Sequence, residues 1–259
     1  MADPIAIELT RSDLQRIAGG RDGAYPFLET ITWDIVHFRD EFWGDEIRGS
    51  GGTPGMYEVV TGSDGAINIL ANQPNGVAEI RASNGDGGDN EYAGISLPEL
   101  AFTGNRNAVF AARVAIDTIT TVKVEIGFTD VTTDAGGVNV KATPSFTAND
   151  FVGWVLDTDD NANWEGLGVA ATTAVTTHEA AIAPTAATFE TMIVALRDSN
   201  ARFVRLNTSG LMTHDSGWLP SFVTSTVALV PWLFIQLRTG TIDRNLQVDF
   251  VDVRARRTT

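Results

Sequence analysis

From Phe42 onward, apolar and polar residues alternate in short runs and do not recur at helical spacing. In Val109–Ile116, the residues Phe110, Ala112, Val114 and Ile116 share one face. Val122, Val124, Ile126 and Phe128 repeat the pattern, with Lys123, Glu125 and Gly127 opposite. A period of two is the signature of a strand with one face against a core. Residues 151–156 form a nearly unbroken apolar run, as a strand covered on both faces requires. Residues 189–197 and 202–206 flank the polar string Asp198-Ser-Asn-Ala201 and predict a hairpin. Further strands are expected over 57–61, 66–71, 77–82, Tyr92–Ser96, 229–237 and 246–253. Pro231 suggests that the strand it opens starts at an edge or a bulge. The change of phase from Phe250 to Val251 predicts a bulge in the last strand.

The first residues follow another pattern. Thr10-Arg-Ser-Asp13 reads as a capping box, Leu14, Ile17 and Ala18 fall at helical spacing, and Gly19-Gly20 stops the run. Such a helix is too short to be stable alone and needs a surface to lie on. The chain is therefore divided into an arm, 1–38, and a sandwich, 39–259. In the arm, Leu14, Ile17, Phe27, Leu28 and Ile31 are the apolar residues available for attachment to a partner. About a dozen short strands with Gly and Asp punctuation, and no long helix, make the fold class all-β: an antiparallel sandwich or barrel.

Composition narrows the function. The 259 residues carry 33 acidic and 18 basic side chains, a net charge of −15. Nucleic-acid surfaces need clustered Lys and Arg, so a nucleic-acid partner is not expected, nor is adhesion to an anionic membrane. There is no cysteine, which removes disulfides, thiolate metal sites and cysteine nucleophiles. No run reaches the roughly 18 apolar residues of a spanning helix, and the first residues lack the basic-then-apolar pattern of a signal peptide. Synthesis in a cytoplasm without signal-dependent export is the expectation.

Three segments carry a resemblance. They are Phe151-Val-Gly-Trp-Val-Leu-Asp-Thr-Asp-Asp160 followed by Trp164-Glu-Gly-Leu-Gly-Val169; Ala181-Ile-Ala-Pro184 with the hairpin that follows; and Asn245-Leu-Gln-Val-Asp-Phe-Val-Asp-Val253. In that order they resemble the concanavalin A-like (laminin-G-like) jelly roll of tailed-phage virion structural proteins, over roughly residues 39–257. The resemblance implies two curved sheets face to face. It also implies a role on the particle as a capsid decoration, head fibre or tail part, made in the host cytoplasm and localised to the virion. The partners would be other virion proteins and further copies of the chain. It names no catalytic residue. Because one fold hosts many functions, a module that binds host glycans is the alternative.

The candidate chemistry is sparse. Glycosidases of this fold carry Glu-x-Asp-x-x-Glu on a strand. Glu125-Ile-Gly-Phe-Thr-Asp130 puts Gly127 at the centre and a shorter acid at the end, so no catalytic residue is assigned. Asp157, Asp159 and Asn161 alternate on a loop as hard-cation ligands do, and calcium is the cation they would take; ordinary turn chemistry explains the same string. No other cofactor is expected. His37, His178 and His214 are far apart and lack zinc-ligand spacing. Trp154 and Trp232 lie in apolar runs and read as core, whereas Trp164 and Trp218 lie beside polar loops and are candidates for a surface contact with a sugar or a partner.

Overall fold

The computed structural model describes residues 35–42, 47, 57–70, 73, 76–86, 88–97, 102–132 and 136–257. The arm residues Leu14, Ile17, Phe27, Leu28 and Ile31, and the helical turn expected near them, lie outside the described residues. The first strands are β1 (Ile35–Asp40), β2 (Glu58–Thr61), β3 (Ala66–Ile69), β4 (Ala78–Ser83) and β5 (Tyr92–Ser96). The middle of the chain gives β6 (Val109–Ile116), β7 (Val122–Thr129), β8 (Val138–Val140), β9 (Ser145–Phe146), β10 (Phe151–Asp157) and β11 (Asn161–Ala170). The last are β12 (Ala174–Ile182), β13 (Glu190–Arg197), β14 (Asn200–Leu206), β15 (Met212–Asp215), β16 (Val230–Leu237) and β17 (Arg244–Arg256).

All of these strands but β8 and β9 form two antiparallel sheets that pack face to face as a jelly roll. One runs β15-β14-β13-β6-β17-β4-β3, with β1 also paired to β17; the other runs β12-β11-β10-β7-β16-β5-β2. The strands with the clearest alternation, β6 and β7, sit in the middle of each sheet. Their inward residues, Phe110, Ala112 and Val114 against Val124, Ile126 and Phe128, build one core with Trp154, Phe203, Phe222 and Leu233. Trp154 links the two layers: from β10 its Nε1 donates to the Ile193 carbonyl on β13, 3.1 Å away.

Three features depart from or sharpen the sequence pattern. β1 pairs with β17 from Ile35↔Arg256 to Asp40↔Val251, so residues 35–38 belong to the sandwich and the boundary at 38 falls inside a strand. The bulge expected near Phe250 is present, because pairing with β6 shifts between Val248 and Phe250. β16 is an interior strand and not an edge; Pro231 is tolerated one residue before its ladder with β5 begins at Trp232.

A roofed sheet face and a histidine pair

The outer face of the β7 sheet carries Lys123, Glu125 and Gly127, opposite the core residues Val124, Ile126 and Phe128. Here the segment that follows β7 folds back over it. β8 and β9 pair as a small hairpin. Beneath it Val138 and Ala148 pack on Phe151, Val155, Leu167, Trp232 and Phe234. Two glycines permit so close an approach. Gly136 has φ +74°, and a Cβ there would fall 2.5 Å from the Glu125 carboxylate. A Cβ on Gly137 would fall 2.4 Å from the Phe151 ring.

Glu125 lies under this roof with no exposed surface. Its carboxylate accepts from the backbone N–H of Gly137 (2.7 Å) and Val138 (3.1 Å) and from Trp232 Nε1 (2.9 Å). Lys123 Nζ lies 3.1 Å away and donates to the Val138 carbonyl. Burial pulls the Lys123 ammonium below its ordinary pKa, and Glu125 opposes that pull. The oxygens of Glu125 are thus spent on holding the roof down. Asp130 lies past the end of β7, where its Oδ1 accepts from Asn149 N (3.0 Å) and burial raises its carboxyl pKa. Glu125 sits on the outward side of β7, whereas Asp130 is tied to the 149–150 turn, so the two do not form a pair across a groove.

The other lysine fastens the far side of the roof. Lys141 Nζ, also without exposed surface, reaches the Asn161 Oδ1 (2.9 Å), the Asn163 carbonyl (3.1 Å), Asp160 (3.3 Å) and Glu165 (3.3 Å). That places an ammonium against the loop proposed for calcium. Asp157 is buried and paired with the Arg238 guanidinium through Nε (2.9 Å) and Nη2, and Arg238 Nε also lies 3.8 Å from Asp159. Asp157 and Asp159 therefore converge on Arg238, and Asn161 on Lys141. Among the described residues no three His, Cys, Asp or Glu side chains form a metal-binding group. A calcium ion would have to displace two fixed cations. The melting temperature is expected to be the same in calcium and in chelator; a rise in calcium would mean that the loop opens to admit it.

The tryptophans divide differently from expectation. Trp164 is 1% exposed and belongs to the core, which withdraws it as a surface contact. It stands on the inner face of β11 with Gly166 and Gly168, whose missing side chains leave room for Phe203 and Phe222. Trp218 is half-buried, and the Arg197 guanidinium covers one ring face at 4.4 Å.

Sequence distance hid the histidine pair. His178 on β12 and His214 on β15 occupy the edge strands of opposite sheets, and their Nε2 atoms are 3.1 Å apart. His178 stacks on Phe203, and His214 meets Trp154 edge-on. Burial lowers the pKa of both rings below the ordinary 6.5, and the neighbouring His178 and Arg205 lower His214 further while Asp215 opposes them. The unfolded chain therefore binds protons that the folded one refuses. Stability is full above about pH 6.5 and falls as pH drops through that value. Thermal melts from pH 8 to pH 5 are expected to show this loss, and His178→Phe to flatten it. His37, in contrast, is on β1 and pairs with Asp252 at 3.1 Å.

No protein family matches the chain, and no curated protein matches it in sequence. Solved structures do match in fold. A protein of unknown function from Shewanella oneidensis MR-1 superposes with a TM-score of 0.60 at 14% identity, covering 86% of this chain and 87% of that one. Peanut lectin superposes at 0.56 and 13%, covering 87% and 100%. A glycoside hydrolase family 16 endo-glucanase from Bacteroides ovatus superposes at 0.55 and 10%, covering 83% and 99%. The chain has the concanavalin A-like jelly roll that lectins and family 16 hydrolases share, and at these identities the likeness is one of fold.

Proposed function

We propose that the chain is a non-catalytic structural sandwich on the exterior of a tailed-phage particle, a capsid decoration or head-fibre protein that contacts the shell and further copies of itself. The observation that carries the non-catalytic part is the roofed sheet. Of the two acids aligned with a glycosidase motif, Glu125 is buried, bonded to three N–H donors and paired with Lys123, and Asp130 is tied to the 149–150 turn. Retaining hydrolysis needs two carboxyl groups about 5–5.5 Å apart around an open substrate site. The particle role is supported by the resemblance of the three segments and by the net charge of −15, which keeps crowded copies soluble. Within this reading the arm, expected over 1–38 and shortened to the residues before β1, makes the attachment, through Leu14, Ile17, Phe27, Leu28 and Ile31. Deleting residues 1–24 is expected to leave a folded sandwich that no longer joins particles lacking their own copy. Joining at full occupancy would return the attachment to the sandwich itself.

A second reading, glycan recognition, is favoured by the fold shared with peanut lectin. With the sheet face closed, a sugar would have to be held by loops, and Trp218 is the sequence-selected aromatic that keeps a part-exposed face. A glycan array separates the two readings: binding that Trp218→Ala removes selects the lectin, and silence leaves the structural role. Release of reducing sugar from any polysaccharide would defeat both.

A further inference from the structure

We propose that His178 and His214 form a two-histidine site for a borderline divalent cation, zinc, nickel or copper, that staples the open edges of the two sheets. Zinc binds imidazole nitrogen at about 2.0–2.1 Å, which sets two ligating nitrogens on a tetrahedral ion roughly 3.3 Å apart. The observed Nε2–Nε2 separation is 3.1 Å. The two residues come from strands that share no sheet, β12 and β15, so nothing in the ladder geometry forces their rings together.

The rings are also held in place. Phe203 lies parallel to His178 with an interplanar angle of 11°, and Trp154 packs against His214 with ring centres 5.6 Å apart. Gly166, the β11 partner of His178, makes room for this stack, because a Cβ there would fall 2.7 Å from the Phe203 ring. A metal ion needs neutral imidazole, so the site is expected to fill above the ordinary imidazole pKa of about 6.5. Without metal, one Nε2 carries the proton that the other accepts. Binding moves that proton to Nδ1 of the same ring and turns both Nε2 lone pairs toward one point; no net proton is released.

The site supplies two ligands and no more. Among the described residues no third His, Cys, Asp or Glu completes the group. Both histidines are half-buried, so the remaining positions face solvent and take water or an oxygen or nitrogen donor from outside. Imidazole ligands and an incomplete shell select nickel, copper and zinc over magnesium and calcium, which demand several oxygens. This ion is therefore distinct from any at Asp157.

The test is titration of the full chain with zinc chloride and, separately, nickel chloride at pH 7.5, followed by equilibrium dialysis and thermal melts. One ion per chain is expected, with a rise in melting temperature that EDTA reverses and magnesium does not reproduce. His178→Gln and His214→Gln should each weaken uptake by about tenfold or more, and His37→Gln should leave it unchanged. Imidazole nitrogen shifts of the wild-type chain provide a readout that needs no variant: zinc should move two Nε2 resonances and spare the third histidine. No uptake by the wild type, uptake in both edge variants as strong as in the wild type, or a shift at His37 alone would overturn the site.

Discussion

Glu125→Ala is expected to lower the unfolding free energy by about 3–5 kcal/mol, the usual result of removing one partner from a buried ion pair. The substitution leaves Lys123 without its carboxylate in a site with no exposed surface. It also strips an acceptor from the N–H groups of Gly137, Val138 and Trp232. For a sandwich of this size the loss corresponds to a fall in melting temperature of roughly 10 °C. Lys123→Met should be milder, because Glu125 keeps all three of those N–H donors. Urea unfolding of the two variants measures the difference. Equal and small losses would mean that water reaches the pair and that the roof does not seal the face.

Trp154→Ala should cost about 3–5 kcal/mol, the range for emptying a large aromatic from a core. The indole is fully buried, meets Phe203 edge-on at 5.3 Å and donates a hydrogen bond to the Ile193 carbonyl of the other sheet. Trp154→Phe separates the contributions: it keeps most of the packing and leaves the Ile193 carbonyl without its side-chain donor, for a loss of about 1–3 kcal/mol. Because Trp154 also packs on His214, its truncation should let water to that ring and bring its pKa back toward 6.5. Nuclear magnetic resonance titration of the three histidines would register that return.

The fold was legible where side chains carry a period. β6, β7 and β17 alternate, β13 and β16 are nearly unbroken apolar runs, and the change of phase before Val251 marked the bulge. Legibility failed on β11, where Gly166 and Gly168 take inner positions and Phe203 and Phe222 fill their space from other elements. With only Trp164 to mark its inner face, that strand shows no apolar period, and its tryptophan looks like part of a polar loop. Alternation says which residues share a face but not what covers that face. Lys123 and Glu125 therefore read as solvent-facing although they lie beneath a hairpin. The hairpin itself depends on Gly136 and Gly137, residue types that also mark ordinary turns. The histidine pair was out of reach, because 36 residues separate its members and only the stacking of two sheets brings their edges together.

The two lysines that pin the roof are also the only lysines in the chain, and neither Nζ is open to solvent. An acylating reagent applied to the folded sandwich thus finds no reactive side-chain amine, and a lysine-directed protease no accessible site. Modification of Lys123 or Lys141 can proceed only from a conformation in which the hairpin has lifted. Where lifting and closing are fast compared with the reaction, the rate of labelling reports the population of that open form. Each lysine, followed separately by mass spectrometry, then reports whether its side of the hairpin opens alone or only when the whole sandwich unfolds.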